Sequence, residues 1–217
     1  MQSVTQPASL ADKAYTLVES LIVTLALPPG HIFSEAELSR QIDIGRTPLR
    51  EALQRLAAAR LVKTLPRKGM MIAEISMTDH FALLETRRVL EKLVATLAAK
   101  KATTTQRTAL QTIRDEMESA AEHNDLATFM TLDRTCDTLL ESASKNLYAT
   151  TALAPLHAHC RRFWYQYQHE GDLRRSAALH MEMIAAVVSG DEQGAAFAAD
   201  AILDYLDAFT RKALNLI

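Results

Sequence analysis

Cysteine, glycine and proline are scarce in this sequence, and each shortage excludes a class of protein. Cys136 and Cys160 are the two cysteines, and their spacing forms neither a thiolate zinc motif nor a disulfide framework. Six glycines and six prolines among 217 residues disfavour a turn-rich β architecture and favour long helices. No apolar run approaches the roughly 20 residues of a membrane-spanning helix, and the first residues lack a signal-peptide pattern. We therefore expect a mainly helical protein of the cytoplasm, with no membrane partner.

The length and the uneven placement of charge indicate two domains. A chain of 217 residues suits two domains of roughly 100–150 residues each. Residues 1–75 contain nine Lys and Arg against seven Asp and Glu, whereas the rest contains 24 − 9 = 15 basic and 26 − 7 = 19 acidic residues. The net charges are therefore +2 and −4. A basic region on an otherwise acidic protein is suited to binding a phosphate backbone with one face.

Two helices joined by a tight turn are predicted between residues 34 and 60. Ser34 and Glu37, three residues apart, form a capping box at the start of the first. Residues 42–45 are typical of a turn. Pro48 is tolerated in the first turn of the second helix, because the N–H that proline lacks would be unpaired there. Another helix, capped by Ser9, is predicted before this pair.

A basic hairpin is predicted directly after the second helix. Residues 61–65 and 69–73 have the pattern of two short strands, and Arg67 and Lys68 lie between them. The segment from residue 46 to residue 68 contains seven basic residues and one acid. Helix, turn, helix and hairpin together predict a winged helix-turn-helix.

The basic residues at the start of the second helix suit contact with DNA. A recognition helix places its N-terminal residues at base edges in the major groove. Arg46 and Arg50 are four residues apart and so share one helical face, and arginine can bind guanine O6 and N7 together. Thr47 can donate to a phosphate or cap the helix. The alternative is a solvated basic face on an amphipathic helix.

The stretch SEAELSRQIDIGRTPLREALQRLAAARLVKTLPRKGMMI resembles the winged helix-turn-helix of the GntR family of bacterial transcription regulators. The R-T-P-x-R-E-A-L core and the L-V-x-x-x-P-x-x-G wing carry this resemblance. It departs from the family at Gly45, where serine or threonine is usual, and at Ala59 and Arg60, where a glycine commonly ends the helix. The resemblance implies that six residues contact operator DNA: Arg46, Thr47, Arg50, Arg67, Lys68 and Gly69.

The remainder of the chain is predicted to be helical. Apolar periodicity indicates helices over 80–101, 104–122, 126–142, 147–168, 173–188 and 192–214. Six helices over this length suit a compact antiparallel bundle. The predicted fold class is therefore mainly α, with an N-terminal winged helix-turn-helix over 1–75 and a C-terminal all-α antiparallel helical bundle over 79–214.

This second half is similar to the FCD effector domain of the FadR subgroup of GntR regulators. The resemblance implies a homodimer and a divalent metal, zinc or manganese, held by one aspartate and three histidines. Asp133 and His180 match two of these ligands, whereas Asp137 and Ile202 stand where histidines belong. Asp133, Asp137 and His180 form a harder set that binds zinc more weakly than three imidazoles would. The alternative is a buried hydrogen-bonded cluster without metal.

Arg87 matches the arginine that receives a carboxylate-bearing effector in this subgroup. Its alternative role is a structural salt bridge with Glu91, four residues on. The aromatic run FWYQYQ over 163–168 is typical of a core or an interface, and a pocket wall is the other possibility.

The sequence therefore predicts a transcriptional repressor that binds double-stranded operator DNA and is controlled by a small organic acid. A DNA-binding regulator with a vestigial pocket is the alternative. An enzyme is not expected, because no nucleophile, phosphate loop or complete metal motif is present.

Overall fold

The chain folds into two packed units. The computed structural model describes residues 9–215, and at Glu170 it describes the backbone only. The first eight residues of the domain predicted over 1–75 lie outside this description. One unit comprises Met1–Ser76 together with Ala158–Gln166, and the other comprises Met77–His157 together with Tyr167–Ile217.

The first unit has the three predicted helices and the two predicted strands of the hairpin, together with a short additional strand. Capping boxes at Ser9 and Ser34 start its first two helices, with both reciprocal hydrogen bonds present at each. Its three strands form an antiparallel sheet in the order β1-β3-β2. The elements are α1 Leu10–Val23, β1 Ile32–Phe33, α2 Glu35–Gln41, α3 Arg46–Ala58, β2 Val62–Leu65 and β3 Gly69–Ile72.

A single apolar core holds this unit together. The inward face of α3 supplies Leu49, Leu53 and Leu56, each no more than 1% exposed. Ala158 is buried in the same core, and Tyr165 packs against it. The stretch Ala158–Gln166 therefore belongs to this unit by packing, which no feature of the sequence predicted.

The C-terminal end of α3 departs from the usual glycine termination. Leu61 N–H donates to the Leu56 carbonyl at 3.0 Å and Arg60 N–H to the Ala57 carbonyl at 3.0 Å, which is a Schellman arrangement. Arg60 has φ +59°, a left-handed conformation that glycine adopts with less steric cost. The resemblance had marked this corner as different, and the chain makes the same turn with an arginine.

The second unit is built from the six predicted helices, except that residues 158–166 of α7 belong to the first unit, and the helix bounds lie within a few residues of those expected. Helix α4 packs against α6, α8 and α9, and α5 packs against α6 and α8. Among the described residues, no helix combines the length and the apolarity needed to cross a bilayer. The helices are α4 Met77–Lys101, α5 Thr104–Glu122, α6 Leu126–Ser144, α7 Leu147–Tyr167, α8 Leu173–Ser189 and α9 Glu192–Ala213.

Candidate functional site

The N-terminus of α3 presents polar side chains to solvent. Arg46 and Thr47 are exposed, whereas Leu49 on the opposite face is fully buried. Gly45 is the N-cap residue and provides no side-chain hydrogen bond. Its φ of −57° is open to any residue, and a Cβ there would lie 3.9 Å from Pro48 Cδ, an ordinary contact. The backbone therefore tolerates the serine or threonine that the resembling family usually has.

Arg50 is exposed one turn along α3, and its guanidinium is bound to Glu35 at the start of α2. Arg50 Nε donates to Glu35 Oε2 at 3.1 Å, and Nη2 donates to the same oxygen at 2.8 Å. The hydrogen bond to Glu35, and then its charge, raise the pKa of Arg50. The Arg50 side chain remains 61% exposed, so the pair lies at the surface. No motif in the sequence indicated this partner.

The hairpin between β2 and β3 carries two further cations at its tip. Lys68 N–H donates to the Leu65 carbonyl at 3.1 Å, which closes a four-residue turn with Pro66 second and Arg67 third. Arg67 has φ +64°, as the third position of a type II turn requires, although glycine or asparagine is the usual residue there. Arg67 and Lys68 are both exposed.

Gly69 is required by the backbone at the base of this hairpin. It has φ +97°, and a Cβ would lie 2.6 Å from the Phe33 carbonyl oxygen of the neighbouring strand β1. Both the conformation and the close approach exclude a side chain. Gly69 thus fixes the path of the wing, which is a structural reason for its place in the predicted DNA-contacting set.

A groove of about 440 Å³ separates the α2–α3 pair from the wing. Glu35 and Arg50 line one side, and Thr64 and Arg67 line the other. Arg46, one turn before Arg50, and Lys68, next to Arg67, are also exposed, and we call these residues together the α3–wing surface. The structure therefore brings Arg50 of α3 and Arg67 of the wing to the same groove.

Two polar side chains of α7 bind backbone carbonyls at the other side of the first unit. His159 Nε2 lies 2.8 Å from the carbonyl oxygen of Ala59, at the end of α3. Arg162 is 1% exposed, and its Nη2 donates to the Ala73 carbonyl at 2.6 Å. Burial lowers the pKa of Arg162 to about 10. These contacts hold the C-terminal ends of α3 and β3.

The second unit contains a buried ionic network, the Arg87–Glu91–His157–Asp137 network. Arg87 Nε donates to Glu91 Oε2 at 2.8 Å, which is the salt bridge weighed above as the alternative role of Arg87. His157 Nε2 lies 2.8 Å from the same Glu91 oxygen, and His157 Nδ1 lies 3.0 Å from Asp137 Oδ2. All four residues are buried. Both ring nitrogens of His157 thus face carboxylates, an arrangement that suits a doubly protonated imidazolium because both of its nitrogens donate.

The pKa values in this network follow from the pairing of buried charges. Burial alone would raise the pKa of Glu91, but the Arg87 and His157 cations hold it well below its ordinary value. Burial alone would lower the pKa of His157, but the Asp137 and Glu91 carboxylates raise it well above its ordinary value. Each buried charge is therefore compensated by its neighbours inside the unit.

Asp133 and His180 form a second buried pair. His180 Nε2 lies 3.1 Å from Asp133 Oδ1, and His180 Nδ1 lies 2.7 Å from the Ser176 carbonyl oxygen. Burial opposes the shift, yet the hydrogen bond and the charge of Asp133 raise the pKa of His180. The pair is one edge of the ligand set that the resemblance implied.

The residues present do not fit the metal site of the resembling subgroup. Within the described part of the chain, one group of three residues brings possible metal-ligand atoms within 4.8 Å of one another. It consists of Glu91, Asp137 and His157. Asp137 is therefore turned towards His157. Ile202 is buried at 2% exposure and offers no lone pair in place of the fourth ligand. To bind a metal, His157 would also need a free lone pair on one ring nitrogen, and each of its nitrogens now faces a carboxylate as a hydrogen-bond donor.

The first half of the aromatic run of α7 lies in a packed interior, as one of its two interpretations predicted, whereas Gln166 and Gln168 are exposed. Phe163 is 1% exposed and Trp164 is 6% exposed. Tyr165 packs against the core of the first unit.

Known proteins resemble this chain along most of its length. A family profile described as "Bacterial regulatory proteins, gntR family" matches residues 10–72, and the FCD domain profile matches residues 82–205. An uncharacterised HTH-type transcriptional regulator of Agrobacterium vitis is 32% identical over 64% of this chain and 83% of its own length. The HTH-type transcriptional repressor RspR of Escherichia coli is 27% identical over 86% of this chain and 82% of its own length.

Solved structures extend the likeness at the level of the fold. The structure titled E. coli McbR/YncC superposes with a TM-score of 0.83 at 20% identity, covering 96% of this chain and all of that one. A transcriptional regulator from Rhodococcus sp. RHA1 superposes with a TM-score of 0.70 at 19% identity.

Proposed function

Since this chain belongs to the GntR family of bacterial transcriptional regulators and carries an FCD domain, we propose that it represses transcription by binding operator DNA as a homodimer. Its relatives are regulators and not enzymes. A role on bacterial operators would place the protein in the cytoplasm. Repression is supported by the name of RspR, a relative that spans 86% of this chain.

The α3–wing surface carries the proposal of DNA binding. Arg46 and Thr47 occupy the exposed start of α3, where a recognition helix contacts base edges. Arg50 lies on the same face one turn later. Arg67 and Lys68 project from the wing and are suited to phosphates, which fix position without reading sequence. Gly69 contributes by setting the path of the wing.

The outer face of α4 and α9 supports a homodimer. Val89 and Leu93 on α4 are 70% and 42% exposed, and Phe197 on α9 is 77% exposed. Lys92 Nζ and Asp200 Oδ2 lie 2.5 Å apart, which joins the two helices beside these side chains. This pair of helices is self-complementary under a two-fold axis, because the cationic α4 of one copy can face the anionic α9 of a second copy, and the reverse. Two copies would present two recognition helices to a near-palindromic operator.

Two modes of control are compatible with an FCD domain. In the first, a carboxylate-bearing metabolite binds Arg87 and controls DNA binding. In the second, which the Arg87–Glu91–His157–Asp137 network favours, the pocket is vestigial and needs no metal. Arg87 is 6% exposed and already binds Glu91, so an organic acid would have to displace that carboxylate. No step of the proposed mechanism runs through a metal.

The test begins with selection of preferred duplexes from a random library by the full-length protein. We expect a short two-fold symmetric consensus, and an affinity that falls steeply with added salt. Arg46→Ala is expected to weaken consensus binding by about 1–3 kcal/mol and to relax preference at one base pair in each half-site. An unchanged affinity would refute the assignment of α3.

The dimer and the effector require separate measurements. Sedimentation of the wild type and of a Val89→Glu, Phe197→Glu variant tests the α4–α9 face, and we expect the variant to sediment as a monomer. A thermal-shift screen of small organic acids, with and without zinc or manganese, tests the pocket, because a ligand bound to the native state raises the melting temperature. A stabilising acid whose effect is lost in Arg87→Ala would refute the vestigial pocket.

A further inference from the structure

We propose that Glu35 is a positioning residue that orients Arg50 for base recognition. The inference rests on the proposed DNA binding of the α3–wing surface and adds a residue outside the predicted contact set. Glu35 is acidic, and an acid on a DNA-facing surface opposes binding to phosphates. The geometry of its contact with Arg50 explains its place there.

The contact engages one edge of the Arg50 guanidinium and leaves another edge open. Glu35 accepts from Nε and Nη2, at 2.8 to 3.3 Å over three donor–acceptor pairs. A guanidinium has five N–H donors in a planar fork, so this side-on pairing leaves the Nη1 hydrogens and one Nη2 hydrogen directed away from Glu35. That remaining end is the edge that can donate to guanine O6 and N7 together.

The backbone beneath Glu35 is held in place by its neighbours. Ser34 Oγ accepts from Glu37 N–H at 3.2 Å, and Glu37 Oε2 accepts from Ser34 N–H at 2.9 Å, on either side of Glu35. Leu38, in the following turn, is 1% exposed in the core of the unit. Glu35 thus lies on an anchored helix start, and its side chain, which is shorter than that of Arg50, can restrict the Arg50 side chain.

Restricting Arg50 in this way should favour sequence discrimination over simple attraction. An unpaired arginine at this exposed position could bind any phosphate within reach, which adds affinity for every sequence equally. Bound to Glu35, its net charge is locally compensated and its orientation is defined. The pair should therefore lower non-specific affinity and raise the ratio of specific to non-specific binding, which is the quantity that matters on a genome.

Three substitutions in the full-length protein test the inference, with binding to the selected duplex, to single-base variants of it and to a scrambled duplex as the readouts. Glu35→Ala should strengthen binding to the scrambled duplex and lower discrimination at the base pair that Arg50 reads. The expected loss lies within the roughly 5- to 150-fold that one bidentate arginine–guanine contact contributes. Arg50→Ala should abolish discrimination at that same base pair. Glu35→Asp should retain part of the discrimination that Glu35→Ala loses.

Two controls separate positioning from charge and from folding. Glu51→Gln removes one negative charge from the adjacent, exposed position of α3. It should raise affinity for the scrambled duplex as Glu35→Ala does, without changing discrimination at the Arg50 base pair. The melting temperature of every variant is measured, and only a change of specificity at unchanged stability counts as support.

A double-mutant cycle decides between the outcomes. In an Arg50→Ala background, Glu35→Ala should have no further effect on discrimination. An equal effect with and without Arg50 would overturn the inference, as would full discrimination in Glu35→Ala alone. Either result leaves the proposed function intact, provided the wild type selects a consensus and Arg46→Ala weakens it. A wild type that selects no sequence would overturn both.

Discussion

Replacement of Glu91 by glutamine removes one charge from the Arg87–Glu91–His157–Asp137 network and keeps the shape of the side chain. Glu91 is 2% exposed, and its Oε2 is 2.8 Å from both Arg87 Nε and His157 Nε2. Arg87 cannot release its proton, and after the change it would remain buried at 6% exposure with one neighbouring carboxylate fewer. We therefore expect a large loss of folding stability in a protein that retains its packing volume.

The magnitude follows from the cost of removing one partner from a buried ion pair. Removing one partner of a buried ion pair typically costs about 3–5 kcal/mol. Release of the His157 proton would relieve part of this cost, so we expect a value near the lower end, about 3 kcal/mol. For a chain of this size, 1 kcal/mol corresponds to roughly 2–4 °C in melting temperature, which predicts a decrease of about 6–12 °C.

Urea denaturation and calorimetry of the wild type and Glu91→Gln measure this loss. Glu85→Gln is the matched control, since it makes the same chemical change at an exposed position of the same helix, and it should change stability by less than about 0.5 kcal/mol. A loss below about 1 kcal/mol in Glu91→Gln would refute the reasoning, because it would mean that the cost of burying these charges cancels their mutual attraction.

Three further predictions concern the wing, the helix cap and pH. Gly45→Ser should gain a few tenths of a kcal/mol in stability from a side-chain cap and bind its consensus duplex more tightly, as measured by denaturation and filter binding; weaker binding would contradict the view that this position lacks a useful hydroxyl. Arg67→Gly should retain or gain thermal stability, because glycine suits φ +64°, yet lower the salt-dependence slope of DNA binding by about one; an unchanged slope would mean that Arg67 does not contact phosphate. The stability contribution of His157, whose folded pKa is raised, should be complete below its ordinary value of 6.5 and be lost as pH rises through the folded value. That of Glu91, whose folded pKa is lowered, should be present above its ordinary value of 4.5 and be lost as pH falls through the folded value. Urea midpoints across pH 2 to 10 check both signs, since the loss for Glu91 begins only below pH 4.5, and a stability that is flat above pH 6.5 would contradict the first.

The elements of the fold could be predicted because their signals are local. The capping pairs at Ser9 and Ser34 start α1 and α2 where expected, since these contacts span three residues. Arg67 lies at the tip of the hairpin and Gly69 at its base, as the positions of Pro66 and Gly69 in the sequence predict. The helical repeat of apolar residues predicted the six helices after residue 76, because a long amphipathic stretch distinguishes the helical period from the strand period.

The side-chain partnerships could be predicted only in part. Asp133 and Asp137 share a face of α6, as their spacing requires, yet one contacts His180 and the other contacts His157. Spacing fixes the face of a helix but not which neighbouring helix each rotamer reaches. The contact of Arg50 with Glu35 joins residues fifteen positions apart, and no periodicity encodes it. The Arg87–Glu91 pair, by contrast, was one of two stated possibilities because it is local.

Two arginines of the first unit occupy backbone conformations in which glycine would be more comfortable, Arg60 at the end of α3 and Arg67 in the wing. Each holds a positive side chain at a tight corner at some expense of folding free energy. A laboratory search for heat-resistant forms would therefore be drawn to these corners. Among the glycine variants that it recovers, Arg67→Gly would tolerate heat better and bind nucleic acid less tightly, so such a screen should measure operator binding alongside melting temperature.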